Sequence, residues 1–182
     1  MVLKDIQEKI IIPEGIEISL ENNILKIKGP NGENQRKLLN PKIKISKKEN
    51  YILLESKKPT KREKTVLNTF KAHIKNLIKG VNEKFSYSIK ICSGHFPINV
   101  SLENNLLVIK NFFGEKKSRK AKILNGVEAK IKGNIINLES IDKEKVGQTA
   151  SNIEQATRRC GFDRRIYQDG CWIIEKDGKK IR

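Results

Sequence analysis

The sequence is poor in the residues that most reaction chemistry and most covalent scaffolds need. It has two histidines, His73 and His95, three cysteines, one tryptophan and five prolines in 182 residues. Aromatic residues make up 5% of the chain. Cys92, Cys160 and Cys171 are too few, and odd in number, for a secreted disulfide framework. They read as reduced thiols packed as small apolar groups. No His-x-x-x-His or Cys-x-x-Cys spacing occurs, so the common zinc arrangements are excluded and neither metal nor cofactor is expected. No apolar run approaches the roughly 18 residues of a spanning helix, which argues against a membrane protein. Met1, Val2, Leu3, Lys4 and Asp5 open no long apolar stretch, so no secretory leader is expected.

Loops that cradle phosphate are also missing. Gly29-Pro30-Asn31-Gly32 is a turn composition, and Gly114-Glu115-Lys116-Lys117-Ser118 lacks the upstream glycine of a phosphate-binding loop. Carboxylates are interleaved with lysines as on a solvated face. A site built on two of them is the one enzymatic alternative left, and the chain reads as a non-enzyme.

Positive charge is what the chain has in abundance. Lys and Arg total 38 against 21 Asp and Glu, a formal net charge of +17. Hydrophobic residues amount to 37% and the mean hydropathy is −0.55, which speaks against full disorder. A body of 20.8 kDa with this charge repels itself, and a polyanionic partner, nucleic acid first, is the simplest explanation. The charge is not a tail: residues 1–82 carry 18 basic and 9 acidic groups, and residues 83–182 carry 20 and 12.

The chain repeats itself. Ser19-Leu20-Glu21-Asn22-Asn23 returns as Ser101-Leu102-Glu103-Asn104-Asn105, and Leu25, Ile27, Lys28, Gly32 and Glu33 return as Leu107, Ile109, Lys110, Gly114 and Glu115. Ten of fifteen positions are identical at an offset of 82. Leu54-Glu55-Ser56 returns as Leu138-Glu139-Ser140. A duplicated unit is the reading: residues 1–82 and residues 83–182, joined near 81–83. Asn-Asn suits a type I′ turn because asparagine tolerates positive φ. That turn sets Leu20 opposite Leu25, Ile18 opposite Ile27, Leu102 opposite Leu107 and Val100 opposite Ile109, all apolar pairs. Glu17, Ser19, Lys26 and Lys28 fall on the wet face.

Further strands are expected around Ile43 and Ile45, over 51–55, and over 127–131 and 135–139 on either side of Gly133-Asn134. Val66, Phe70, Ile74 and Leu77 mark a helix, with Gly80 as its C′ residue. Val146, Ala150, Ile153 and Thr157 mark a second, with Asp142 as N-cap and Gly161 near its end. The fold class is α+β: two duplicated domains, each an antiparallel sheet with one helix on its apolar face.

Three basic segments are candidates for phosphate contact. Five of the eight arginines, Arg158, Arg159, Arg164, Arg165 and Arg182, lie beyond position 157. Arginine grips phosphate with a planar fork and stacks on bases, which lysine cannot do. Tyr167-Gln168-Asp169-Gly170-Cys171-Trp172 reads as a hairpin with an Asp-Gly turn and Tyr167 opposite Trp172, followed by Lys176, Lys179 and Lys180. A second set, Lys116, Lys117, Arg119, Lys120 and Lys122, follows Phe112-Phe113-Gly114. Its counterpart in the first half, residues 31–37 with Arg36 and Lys37, is read as a loop. The third is Lys57-Lys58-Pro59-Thr60-Lys61-Arg62. Solvated turns and cross-strand packing of Tyr167 and Trp172 are the plainer alternatives.

Several strings carry a family resemblance. His95-Phe96-Pro97-Ile98-Asn99-Val100, Asn111-Phe112-Phe113-Gly114-Glu115-Lys116 and Ile78-Lys79-Gly80-Val81 are similar to motifs of a large-subunit ribosomal protein family, called protein six in bacteria and protein nine in eukaryotes. The ending, with Gln155, Arg165, Tyr167, Asp169-Gly170 and Lys176, resembles that family's C-terminal motif. Nearly the whole chain is covered, duplication included, and the archaeal and eukaryotic branch fits better than the bacterial one. Arg159 stands where the motif has an aliphatic residue, and Phe162 where it has a basic one. The resemblance implies a structural component of the large ribosomal subunit, bound to large-subunit rRNA near the sarcin–ricin loop and the stalk base. It implies stalk-base neighbours, a second domain that carries most of the RNA contact, and a cytoplasmic location, eukaryotic rather than archaeal. No small-molecule substrate, membrane or self-association is implied.

The expected RNA contacts are Arg158, Arg159, Arg164, Arg165, Lys176 and Lys179, then Lys116, Lys117, Arg119 and Lys120. Tyr167 and Asp169-Gly170 are expected to set the hairpin that aims them. A free nucleic-acid-binding module outside any ribosome is the alternative reading.

Overall fold

The computed structural model describes residues 5–48 and 50–181; Arg182, counted above with the C-terminal basic cluster, lies outside them. Two compact units divide the chain between Lys84 and Phe85. The first holds β1 (Ile6–Ile11), β2 (Glu17–Glu21), β3 (Ile24–Gly29), β4 (Gly32–Lys37), β5 (Lys44–Lys47), β6 (Tyr51–Ser56) and α1 (Lys61–Asn82). The second holds β7 (Phe85–Cys92), β8 (Asn99–Glu103), β9 (Leu106–Lys110), β10 (Arg119–Lys122), β11 (Glu128–Lys132), β12 (Ile135–Ser140), α2 (Lys143–Ala156), β13 (Gly170–Lys176) and β14 (Lys179–Lys180).

The class is α+β with antiparallel pairing, as the periodicity indicates. The strands of each unit divide between two sheets rather than forming one. The first unit has orders β1-β6-β5 and β2-β3-β4, the second β8-β9-β10 and β11-β12-β7-β13-β14. A hairpin with one apolar face needs a second surface to cover it, and in the second unit both the helix and the larger sheet provide it. Leu107 and Ile109 of β9, Ile89 of β7, Ile136 and Leu138 of β12, and Val146, Ala150 and Ile153 of α2 share one buried core.

The repeated hairpins form in the register the alternation dictates. Ile18 faces Ile27 and Leu20 faces Leu25; Val100 faces Ile109 and Leu102 faces Leu107. Asn22 and Asn23 have φ of 47° and 63°, and Asn104 has 52°, the left-handed conformation such a turn demands. β11 and β12 pair across Gly133-Asn134, with Lys132 opposite Ile135.

Helix α1 does not end at Gly80. It continues to Asn82, with Gly80 buried inside it. The reason is that its last carbonyls find donors elsewhere, so no left-handed glycine is required. The Asn31 amide donates to the Val81 carbonyl at 3.1 Å, and the Asn31 side chain to that of Asn82 at 2.6 Å. The Glu83 amide donates back to Lys79 at 2.7 Å. Residues 32–37 are likewise strand β4 rather than loop, because the two-residue turn Pro30-Asn31 resumes pairing at once, Gly29 opposite Gly32. At the start of α1, Glu63 accepts from the Thr60 amide at 2.8 Å and from the Thr60 hydroxyl, and from Lys42 at 3.1 Å. These bonds, the hydroxyl first, pull its carboxyl down from 4.5 to about 2. Helix α2 starts as read: Asp142 accepts from the amides of Glu144 and Lys145.

The Asp169-Gly170 hairpin does not exist. Residues 157–169 form a long connection of bends and turns, and β13 begins at Gly170 and pairs with β7, Gly170 opposite Cys92. Asp169 is buried and tied to another loop, so it cannot sit at an exposed turn. The Asp-Gly turn in this region is Asp177-Gly178, with φ of 51° and 76°, joining β13 to β14.

Candidate nucleic-acid interface

Three loops of the second unit meet at one end of its larger sheet. They are the β7–β8 connection, the β9–β10 connection and residues 157–169 after α2. Asp169 joins the first and third: it accepts from the Gly94 amide at 2.6 Å and the His95 amide at 2.9 Å. Its other oxygen lies 2.6 Å from His95 Nδ1. Burial pushes the Asp169 carboxyl up, but the His95 amide, the His95 ring and the Gly94 amide together outweigh it and hold it below its ordinary value. The second loop is joined to the first through Asn111, whose side chain donates to the Pro97 carbonyl at 3.0 Å.

An aromatic cluster fills the junction. The His95 ring stacks on Tyr167 at 4.9 Å between centroids, and Phe162 meets Tyr167 edge-on at 4.9 Å. Phe113 lies 6.0 Å from Phe162 and 6.1 Å from Tyr167. Phe113 is held at φ 50°, a backbone conformation costly for a bulky side chain, on the order of 1–3 kcal/mol. The Arg159 guanidinium sits over both phenylalanines, 4.0 Å from the Phe162 centroid and 4.8 Å from that of Phe113. Arg159 and Phe162, the two departures from the family motif, are therefore partners.

The structure brings Arg158, Arg159, Arg164 and Tyr167 together around one cleft, with Phe113, Phe162 and Trp172 in its walls. Trp172 is oriented by its indole N–H, which donates to the Gln168 carbonyl at 2.8 Å. Arg165 stands beside them, exposed and paired with Asp163 at 2.8 Å. That pairing lowers the Asp163 carboxyl and raises the Arg165 guanidinium.

The second basic set splits. Lys116, Lys117 and Lys120 are exposed. Arg119 is half-buried and spent on the fold. It clasps Glu115 with Nε and Nη2 at 2.8 and 2.7 Å, which lowers the Glu115 carboxyl. Its Nη1 donates to the carbonyls of Ala156 and Arg158 at 3.0 and 3.2 Å. Its plane lies 4.4 Å from the Phe112 centroid. Arg119 thus closes the end of α2 and fixes the start of the arginine-rich loop.

Lys176 and Lys179 stand apart from the cleft. They are opposite each other on β13 and β14, at the far end of β13 from Gly170. Six residue-to-residue steps along the strand separate the two ends, about 20 Å. Sequence reasoning missed Phe113, Phe162 and His95 as builders of the site, and it gave Asp169 an exposed turn instead of its buried place between two loops. The one signal for them was the density of aromatics around positions 95–97, 112–113, 162 and 167 in a chain that has few.

The comparisons with known proteins bear on the whole chain. The family described as ribosomal protein L6 matches residues 12–84 and again residues 96–166, once in each unit. The large ribosomal subunit protein uL6 of Methanobrevibacter smithii is 43% identical over 177 residues, 97% of this chain and 99% of that protein. The protein of the same name from Nanoarchaeum equitans is 46% identical over 184 residues, 97% of this chain and 96% of its own length. That from Methanosarcina mazei is 45% identical over 175 residues, 96% and 99%. All three are archaeal, and nothing in them supports the expectation of a eukaryotic source. Since the family matches both halves of the duplication and these relatives run nearly end to end with it, the chain belongs to the ribosomal protein L6 family, a family of ribosomal proteins and not of enzymes.

Proposed function

We propose that the protein is a structural component of the large ribosomal subunit in the cytoplasm that binds large-subunit rRNA near the sarcin–ricin loop and the stalk base. Its second domain, residues 83–182, makes the main contact. The observation that carries this reading is the convergence of Arg158, Arg159 and Arg164 on one cleft, flanked by exposed Arg165, Lys116, Lys117 and Lys120. Loops held by a rigid sheet and helix reach a grooved RNA surface, and guanidinium forks neutralise its phosphates. The net charge of +17 supplies the long-range attraction. Lys176 and Lys179, at the other end of β13, give a second phosphate contact. Arg119 contributes by positioning the loop. Stalk-base proteins are the proposed neighbours.

Fractionation and footprinting test this. The protein is expected to co-sediment one to one with large subunits, and nuclease protection to fall at the sarcin–ricin loop and stalk base. Recovery only in free fractions overturns the ribosomal assignment; stoichiometric recovery with protection elsewhere overturns the location.

A further inference from the structure

The cleft beside the C-terminus of α2 has a volume of about 310 Å³, at the small end of the ~300–1,000 Å³ typical of ligand pockets. We propose that it takes up a single unstacked nucleobase of the bound RNA, held against the Arg159–Phe162 pair. The proposal rests on the RNA-binding reading above and adds a base contact to it.

Phosphate alone does not account for the walls. A site for phosphate needs cations and amide donors. This one has three arginines but also flat rings, Phe113, Phe162, Tyr167 and Trp172, with the Arg159 guanidinium over two of them. Flat faces of this kind stack on bases, and a ring-backed guanidinium offers both a stacking plane and edge donors. Its contact with both rings is made without RNA, and the two rings also meet each other at 6.0 Å.

The α2 side of the cleft points the same way. It carries Glu154 and Gln155. The Gln155 amide nitrogen donates to Ser151 Oγ at 3.2 Å, leaving its carbonyl oxygen as an acceptor. A carboxylate and an amide oxygen repel a phosphate and accept from the ring and amino N–H groups of a base. The arrangement therefore sorts a nucleotide: acceptors and rings for the base, the exposed Arg158 and Arg164 for its phosphates. Phe162 is 38% exposed, and an inserted base would cover it.

The test uses large subunits isolated from cells carrying the full-length protein, irradiated with ultraviolet light and analysed for peptide–nucleotide adducts. An adduct is expected at Phe162, Tyr167 or Trp172. Phe162→Leu, which removes the ring, and Arg159→Lys, which keeps the charge and removes the plane, are each expected to reduce its yield at least tenfold. Phe162→Tyr is expected to preserve it. Both side chains are on an exposed loop, so the variant proteins should remain stoichiometric in the subunit, which is measured alongside. Stoichiometric protein with no adduct in this segment, or with an adduct indifferent to Phe162→Leu and Arg159→Lys, overturns base insertion and leaves the RNA-binding reading standing. Absence of the protein from the subunit overturns both.

Discussion

Asp169 anchors His95 from 74 residues further along the chain. One carboxylate receives two backbone amides and faces the imidazole, and Tyr167, two residues before it, stacks on that imidazole. The arginine-rich loop is thereby attached to the β7–β8 connection by a buried acceptor. Replacing Asp169 by Asn removes the charge from three short contacts at once. The expected loss is about 2 kcal/mol of stability, since hydrogen bonds to a charged group are each worth ~1.5–3 kcal/mol. Urea unfolding monitored through Trp172, the single tryptophan, reads it directly. Gln168→Ala, next door but exposed, should shift stability by less than about 0.5 kcal/mol.

Acid should loosen both units through carboxylates held low. Glu63 has an ordinary value of 4.5 and is pulled to about 2 in the folded protein by Thr60 and then Lys42. Between those values the unfolded chain binds the proton and the folded one does not, so stability rises with pH there. The contribution of Glu63 is present in full above about 4.5 and is lost as pH falls through about 2. Asp169, also lowered, behaves alike below its ordinary 3.8. Thermal midpoints of the wild type should fall between pH 5 and 2, and Glu63→Gln, which keeps the acceptor but cannot titrate, should flatten that slope. Parallel curves for the two proteins would show that Glu63 is not a source of the acid sensitivity.

The two Asp-Gly pairs show how far the sequence could be read. Asp169-Gly170 and Asp177-Gly178 carry the same local turn signal, and only the second is a turn. What separates them is the donor set of Gly94 and His95, far away in sequence, which makes Asp169 worth burying. The Asn-Asn hairpins were legible because turn chemistry and strict apolar alternation agree within a dozen residues. The helices were legible from their apolar spacing, but the end of α1 was not, because Asn31 closes it from another element. The Thr60-x-x-Glu63 box was visible in principle and was obscured by the basic run around it. Of the interface, the arginines and lysines were legible as charge. Which of them stay exposed and which serve the fold depends on the partners each meets, and Arg159 lying over two phenyl rings is a relation no local pattern encodes.

Arg119 and Lys116 make that division measurable. They lie three residues apart in one basic segment, yet Arg119 is bonded to Glu115, Ala156 and Arg158 while Lys116 is exposed. Arg119→Lys cannot reproduce the fork and leaves helix-end carbonyls short of donors, at an expected cost of about 1–3 kcal/mol in stability. The salt dependence of RNA binding should be unchanged. Lys116→Ala should leave stability within about 0.5 kcal/mol and reduce the slope of log affinity against log salt by about 0.7–0.9. Unfolding and filter-binding titrations on the same two variants decide it; a lowered salt slope in Arg119→Lys would place that guanidinium on phosphate instead.

Gly29 carries the corresponding burden in the first unit. A β-carbon added there would lie 2.3 Å from Val81 Cγ1, well inside contact distance. Val81 is fully buried at the end of α1 and stiff at its branched β-carbon, so it has little room to yield. The same turn supplies Asn31 to the helix carbonyls, which means that pushing Gly29 away also weakens the cap. Gly29→Ala is therefore expected to cost about 1–3 kcal/mol from overpacking. In the double variant Gly29→Ala, Val81→Ala the clash disappears, and the two losses should fall short of additive by at least about 0.5 kcal/mol. Chemical unfolding of the four proteins in the cycle gives the coupling; strict additivity would mean that the β3–β4 turn and the end of α1 do not bear on each other.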